Sequence, residues 1–168
     1  MTPAEIDLLT REYFHLLDTV EGYGGQSLVI KGWSVTVALG GIYGAYSLGG
    51  AGRARTRRLL LVGAALATTP FWLLDALWKS WQIGLYPRLC AVEAALSGAM
   101  PAHAACEGVA PAVAVPGVMA AWSAVGAPGV EAVSTFLSAL TRFNVWLPHL
   151  PVFAAGLLLA WLRPPADP

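Results

Sequence analysis

Asp75 has the clearest potential for chemistry, because it is the one acidic side chain in the apolar stretch 59–81. A carboxylate inside a membrane is costly unless it is paired, hydrated or close to the head groups. Lys79 follows at i+4 on the same helical face, and Lys31 lies at a similar depth in another apolar stretch. The spacing predicts a structural ion pair among Lys31, Asp75 and Lys79. Two alternatives stay open, namely a proton or ion path and simple exposure of Asp75 at head-group level.

His149 is a weaker ligand candidate, placed between Pro148 and Pro151 at the start of the last apolar stretch. A haem bundle generally needs facing histidines within its spans, and His15 and His103 lie outside the apolar stretches. We therefore expect His149 to be an interface residue rather than a cofactor ligand. No cofactor is evident, although a bound lipid or pigment fits the composition.

Cys90 and Cys106 are the two cysteines, and His103 and Glu107 lie near the second of them. The ligand spacing is not one that zinc motifs share, so we predict no metal site. Both cysteines fall in a region predicted to lie outside the cytoplasm, where disulfides persist. A bridge would close a loop of about 17 residues and stabilise the fold by ~3 kcal/mol. Two unrelated buried thiols are the alternative.

Fingerprints of common catalytic sites are missing from the sequence. We find no pattern typical of a Ser-His-Asp constellation, a P-loop or a dinucleotide-binding turn. The glycine pairs at 24–25, 40–41 and 49–50 lack the strand–turn–helix context that such loops need. The sequence therefore predicts no catalytic residue, and we expect a protein that is not an enzyme.

The composition indicates a membrane environment for these residues. Hydrophobic residues make up 57% of the 168 and charged residues 12%, about half the share of a soluble domain, which is roughly 25%. The net charge is zero, which gives nucleic acid no electrostatic attraction. We predict an all-α integral membrane helical bundle that forms a single domain over 1–168.

An amphipathic helix is predicted over 3–21, with apolar residues at the helical period and acidic residues on much of the rest. The run Gly22-Tyr23-Gly24-Gly25 disfavours helix and predicts its end. Because acidic surface helices bind anionic lipid poorly, we expect this helix to dock onto a protein partner rather than to lie on the membrane surface.

Three transmembrane spans are predicted, at 27–48, 59–81 and 144–162. Gly40 and Gly44 form a small-xxx-small pair in the first span, which permits close helix contact. Pro70 should kink the second span.

The region 82–143 is predicted as an extracytoplasmic loop with short helices. Its first part, 82–98, is predicted to continue as helix with a bend at Pro87. Its stretch 99–128 is rich in Ala and Pro, and four prolines argue against a continuous helix there. A broken fourth span or a re-entrant segment at 109–125 is the alternative. A short amphipathic helix is predicted at 129–143.

Tryptophans and arginines predict the orientation of the spans. An aromatic belt is expected from five tryptophans at the predicted boundaries: Trp33, Trp72, Trp78, Trp81 and Trp146. Arg53, Arg55, Arg57 and Arg58 lie between the first two spans and place that loop in the cytoplasm, with lipid head-group binding as the alternative role. We expect a bacterial inner-membrane protein with its N-terminus outside and its C-terminus in the cytoplasm.

Two segments carry a resemblance to a family, EYFHLLDTVEGYGGQSLVIKGWSVTVAL and FWLLDALWKSWQIGLYPRL. Over roughly residues 11–90 they are similar to small uncharacterised bacterial membrane proteins. In that family an acidic N-terminal helix leads through a glycine turn into an "IK-x-WSVT" span, here Ile30 to Thr36. The resemblance implies no known activity. It implies that Lys31, Trp33, Asp75, Trp78 and Lys79 act as one structural unit.

The leading expectation for function is an accessory or structural subunit of a larger membrane assembly. An acidic amphipathic helix and a large uncharged outer loop, with no evident chemistry, favour contact with other subunits, copies of the same chain or membrane lipids. The alternatives are a self-assembling membrane pore or effector, and a small transporter or membrane enzyme that uses Asp75 and His149. The last alternative requires these two residues to face one site.

Overall fold

The computed structural model describes residues 1–47, 54–111 and 130–162, and these residues form helices with no strand among them. The described residues contain six α-helices: α1 (Pro3–Ser47), α2 (Ala54–Leu66), α3 (Thr69–Ser97), α4 (Val130–Leu140), α5 (Phe143–Trp146) and α6 (His149–Trp161). A 3-10 turn covers Ala104–Cys106. The all-α class is therefore confirmed.

Helix α1 continues through Gly22-Tyr23-Gly24-Gly25, so the predicted end of the first helix there is wrong. A glycine inside a helix costs about 1 kcal/mol relative to alanine, which is too little to break a helix that packing supports. Tyr23 supplies such packing, since it is 8% exposed and its ring lies 5.1 Å from that of Trp78. Apolar burial next to the glycines outweighs their low helix propensity.

The predicted second span is divided in the structure. Helix α2 ends at Leu66, a turn follows at 67–68, and α3 begins at Thr69. Pro70 thus lies in the first turn of a new helix, where its missing N–H breaks no hydrogen bond, instead of kinking a continuous one. Helix α3 then passes through Pro87 to Ser97, so the helix predicted at 82–98 is confirmed up to residue 97.

The predicted third span is also divided, into α5 and α6. Helix α6 has 13 residues and a length of about 20 Å, short of the ~30 Å hydrocarbon core of a bilayer. By length and composition, two stretches are able to cross a membrane, Pro3–Ser47 and Ala54–Ser97, rather than three. Residues 112–129 are outside the described part of the chain, and with them most of the predicted Ala/Pro-rich loop and of the alternative span at 109–125.

The chain divides into two compact units. Unit 1 comprises residues 1–26 and 78–136, and unit 2 comprises 27–77 and 137–168. In unit 1 the first part of α1 packs against the second part of α3. The buried core residues of this unit are Leu9, Leu16, Val20, Tyr23, Leu85 and Val92.

The seven-residue spacing of Leu9, Leu16 and Tyr23 is that of a coiled-coil seam. The N-terminal amphipathic helix therefore buries part of its apolar face within its own unit, whereas Ile6 is 45% exposed. Its docking onto a separate protein stays a prediction.

Unit 2 is built on small residues that let helices approach closely. A Cβ added to Gly41 would lie 2.6 Å from Cβ of Ala64, and one added to Gly156 would lie 2.9 Å from Cβ of Ala65. Gly40 has no such neighbour within 4 Å. A Cβ at Gly44 would also meet no atom within 4 Å. The predicted small-xxx-small pair of Gly40 and Gly44 is thus not the site of close contact, which is made by Gly41 against α2 instead.

Candidate functional site

A cluster of polar side chains lies inside unit 2, in an otherwise apolar part of the chain. Helix α1 contributes Ser27, Lys31 and Ser34, whose spacing of four and three residues places them on one helical face. Helix α3 contributes Asp75, and His149 comes from the first turn of α6. Three helices therefore converge on one polar site.

The Asp75 carboxylate is the centre of the cluster and is 0% exposed. Lys31 Nζ lies 2.8 Å from Asp75 Oδ2, and the Ser27 hydroxyl donates to Asp75 Oδ1. Lys31 also donates to Ser27 Oγ. A buried carboxylate is tolerated when it is paired and hydrogen-bonded in this way, so Asp75 carries its charge with Lys31 as counter-ion.

His149 extends the cluster and approaches the same carboxylate oxygen of Asp75 as Lys31 does. Its Nε2 lies 3.5 Å from Asp75 Oδ2, and its Nδ1 lies 2.8 Å from Ser34 Oγ. His149 and Ser34 are both 0% exposed. A neutral imidazole can accept from the Ser34 hydroxyl at Nδ1, whereas a protonated one donates from both nitrogens, to Ser34 and to Asp75.

The charges of the cluster depend on the proton of His149. With a neutral imidazole, Lys31 and Asp75 balance each other. With a protonated imidazole, two cations would share one buried carboxylate and would compete for it.

The order Ser34, His149, Asp75 also has the residue types of a nucleophilic triad, which was not expected from the sequence. Ser34 Oγ is completely enclosed, so no substrate reaches it in this conformation. In addition, the 3.5 Å separation of His149 and Asp75 is longer than a good hydrogen bond. The geometry favours proton binding over nucleophilic attack.

No protein family, curated protein or solved structure matches the chain. Function is therefore inferred from the residues that the fold brings together. The similarity to small bacterial membrane proteins remains a prediction from residues 11–90.

Among the predicted ion-pair residues, Lys31 and Asp75 lie together, whereas Lys79 is part of unit 1 and donates to Gln82 Oε1. Gln82 in turn donates from Nε2 to the carbonyl oxygen of Val20 at 2.8 Å. Lys79 thus contributes to the packing of α1 on α3 in unit 1.

The predicted interface tryptophans occupy different environments. Trp78 and Trp81 pack with Tyr23 in unit 1, with their own ring centroids 5.0 Å apart. Trp33 is 60% exposed, and Trp146 lies 5.2 Å from the Phe143 ring. Trp72 is partly buried, and its Nε1 has no hydrogen-bond partner among the described residues. A single belt does not describe all five.

The two cysteines are joined in the structure, and Cys90 and Cys106 form a disulfide. As disulfide sulfurs they are not thiolate ligands, and His103 Nδ1 accepts a hydrogen bond from the Ala105 N–H. Within residues 1–47, 54–111 and 130–162, no group of three or more His, Cys, Asp or Glu side chains could hold a metal ion.

Two members of the buried cluster, Ser27 and Ser34, were not predicted. The sequence carries a usable signal for them, because Ser27, Lys31 and Ser34 form a polar stripe at helical spacing in an apolar stretch. The role of His149 had no such signal, since residues 34, 75 and 149 meet only through the tertiary fold.

Proposed function

We propose that the chain is an integral membrane protein and that unit 2 lies in the bilayer. The chain contains two long apolar stretches, Pro3–Ser47 and Ala54–Ser97, whose lengths and hydropathies are suited to crossing a membrane. Only 22% and 33% of their most apolar windows are buried within the protein, whereas the core helix of a soluble protein is mostly buried. Large exposed apolar side chains such as Leu28, Trp33 and Tyr43 support this placement, since lipid would cover them.

We propose an orientation in the bacterial inner membrane with the N-terminus outside. Unit 1 holds a disulfide, which is typical of an oxidising compartment. Arg55, Arg57 and Arg58 belong to unit 2 and favour a cytoplasmic end for α2.

We infer that the function of unit 2 is proton binding within the membrane, in a small proton-coupled carrier. One observation carries this proposal: the Lys31 ammonium and the His149 imidazole both approach the same oxygen, Oδ2, of the buried Asp75 carboxylate. Ionisable groups inside membranes are generally functional, and proton carriers rely on paired acids and histidines. A site that only fastens helices would need Lys31 and Asp75 but not a third titratable group.

A sequence of proton steps follows from the geometry. A proton arriving at His149 binds to Nδ1, which then donates to Ser34 Oγ, while the N–H at Nε2 continues to face Asp75. The second cation weakens the hold of Asp75 on Lys31, whose side chain is 17% exposed. Loss of the proton restores the pair. Protonation is thereby linked to the position of Lys31 on α1.

Proton flux into liposomes tests this function directly. Purified full chain would be reconstituted with a pH-sensitive dye inside, and a potassium diffusion potential would drive protons inward. We expect flux above that of protein-free liposomes for the unchanged chain. Asp75→Asn should abolish it, and His149→Gln should lower it at least tenfold, because each removes a proton-binding group.

A matched control uses another buried acidic residue. Glu12→Gln changes a carboxylate of unit 1 and should leave the flux per folded protein unchanged. The double variant Lys31→Asn/Asp75→Asn removes both charges together and should fold without carrying protons. Equal flux for Asp75→Asn and the unchanged chain, with both folded, would reduce the cluster to a structural ion pair. Absence of flux from the unchanged chain would remove the carrier proposal altogether.

A second candidate is the membrane subunit of a larger assembly. Leu28, Gly32, Thr36 and Gly40 follow one another at i+4 along an exposed face of α1 in unit 2. Small residues at this spacing let another helix approach closely in lipid. The N-terminal helix is partly packed within unit 1, so this candidate rests mainly on the α1 face.

Native-size separation tests the second candidate. After extraction in a mild detergent, we expect the unchanged chain to travel at the mass of a complex. Gly32→Leu/Gly40→Leu should shift it to monomer, because the added side chains fill the face. Gly63→Leu places a comparable side chain on α2 where a Cβ would also meet nothing within 4 Å, and serves as control. A homogeneous free monomer of the unchanged chain would argue against a subunit role.

A further inference from the structure

A second polar feature of unit 2 lies apart from the buried cluster, at the start of α2. Arg55, Arg57 and Arg58 line a cavity of about 660 Å³ together with Tyr46 and Trp161. Pockets that bind small molecules generally have volumes of about 300–1,000 Å³. The floor of the cavity is apolar and includes Leu61 and Ala160, whereas the charged side chains among its described lining residues are all arginines.

Two of the arginines lie near aromatic rings. Arg57 Cζ lies 5.6 Å from the Tyr46 ring centroid, and Arg58 Cζ lies 5.6 Å from that of Trp161. These distances are within the range of cation–π contacts. Because a guanidinium group can also pair with two oxygens of a phosphate, the chemistry of this wall suits an oxyanion.

The charge of the cavity is one-sided. Arg55, Arg57 and Arg58 are the charged residues among its described lining residues, and none of these described residues is acidic. An anion there would meet the positive potential of three guanidinium groups.

We propose that this cavity binds a phosphate-bearing anion, and that an anionic phospholipid supplies it from the membrane. Its apolar floor gives the acyl chains of a lipid a surface next to the basic wall, which free phosphate would not use. Trp161 and Leu162 are exposed beside it, at 74% and 56%. The site shares no residue with the Lys31, Asp75 and His149 cluster, so it stands whether or not that cluster carries protons.

Native mass spectrometry of the purified full chain in a neutral detergent would measure binding of phosphatidylglycerol and of phosphatidylcholine. We expect phosphatidylglycerol to bind the more tightly, and this preference to disappear in Arg55→Gln/Arg57→Gln/Arg58→Gln. Each arginine near an anionic surface contributes about fivefold, so the triple variant should bind about a hundredfold more weakly. The triple lysine variant should fall between the two, because it keeps the charge but loses the paired donors.

Arg142→Gln is the matched control, since Arg142 is an exposed arginine of unit 2 outside this cavity. It should leave phosphatidylglycerol binding unchanged. Competition by inorganic phosphate or glycerol phosphate at millimolar concentration would identify a soluble phosphate as the ligand, and a lack of competition would identify the lipid. Equal binding of the two lipids without displacement by phosphate, or an equal loss in Arg142→Gln, would overturn the proposal.

Discussion

Arg88→Met is expected to lower the free energy of unfolding of unit 1 by about 3–5 kcal/mol, because it leaves the Glu12 carboxylate buried without its main partner. Arg88 donates to both carboxylate oxygens of Glu12, from Nε and from Nη2, each at 2.8 Å. The Glu12 side chain is 3% exposed and that of Arg88 is 17% exposed. Thermal unfolding in detergent, followed by fluorescence of Trp78 and Trp81, would measure the loss.

Two further variants define the origin of this effect. Glu12→Leu/Arg88→Met removes both charges and should recover most of the stability, since well-packed apolar residues replace a buried ion pair with little cost. Arg11→Met removes the arginine of an exposed pair with Asp7, whose side chains are 78% and 62% exposed, and should cost at most about 1 kcal/mol. If Arg88→Met costs no more than Arg11→Met, the buried pair contributes nothing beyond a surface contact.

Gly156→Leu is expected to destabilise unit 2 by about 3 kcal/mol, at the upper end of the range for overpacking. Even a Cβ at this position would lie 3.2 Å from the Leu61 carbonyl oxygen and 3.3 Å from the Ala65 Cα. Because these are backbone atoms, they move only if α2 and α6 separate. The same thermal unfolding experiment would measure the loss, with Gly156→Ala expected to give a smaller one of about 1 kcal/mol.

Gly40→Ala is expected to have the opposite effect on the stability of the same unit. No atom lies within 4 Å of a Cβ at Gly40, and alanine favours helix over glycine by roughly 0.5–1 kcal/mol. We therefore expect a small gain in stability. A loss in Gly40→Ala equal to that in Gly156→Ala would show that α2 and α6 are not in the close contact described here.

The helical class and the apolar character of the chain could be predicted from the sequence, because they follow directly from the composition and from the lengths of the apolar stretches. The continuity of α1 could not, because local propensity at Gly22 to Gly25 points against it. The packing of Tyr23 on Trp78 that reverses this preference joins residues 55 positions apart. The turn at 67–68 could not be predicted either. Pro70 is compatible with a kink in one helix and with the first turn of a new helix, and hydropathy does not distinguish these two structures.

Only part of the buried cluster followed from sequence. An acidic residue in an apolar stretch needs a partner, and Lys31 was one of two available cations at the right depth. The sequence alone does not show which lysine pairs with Asp75. Lys79 lies at i+4 from Asp75 and is as good a candidate as Lys31, so the fold was needed to distinguish them. His149 was classed as an interface residue since its flanking prolines are typical of a boundary. Its contact with Ser34 spans 115 residues and leaves no periodic trace.

The 13-residue length of α6 has a consequence for the membrane around it. If unit 2 lies in the bilayer as proposed, a helix about 10 Å shorter than the hydrocarbon core creates a hydrophobic mismatch on that side. Lipid beside α6 must thin, or charged groups at its ends must reach outward, at a cost that grows with each ångström. The protein should therefore respond to the acyl-chain length of the surrounding lipid. Bilayers with shorter acyl chains would surround α6 at the lowest free-energy cost.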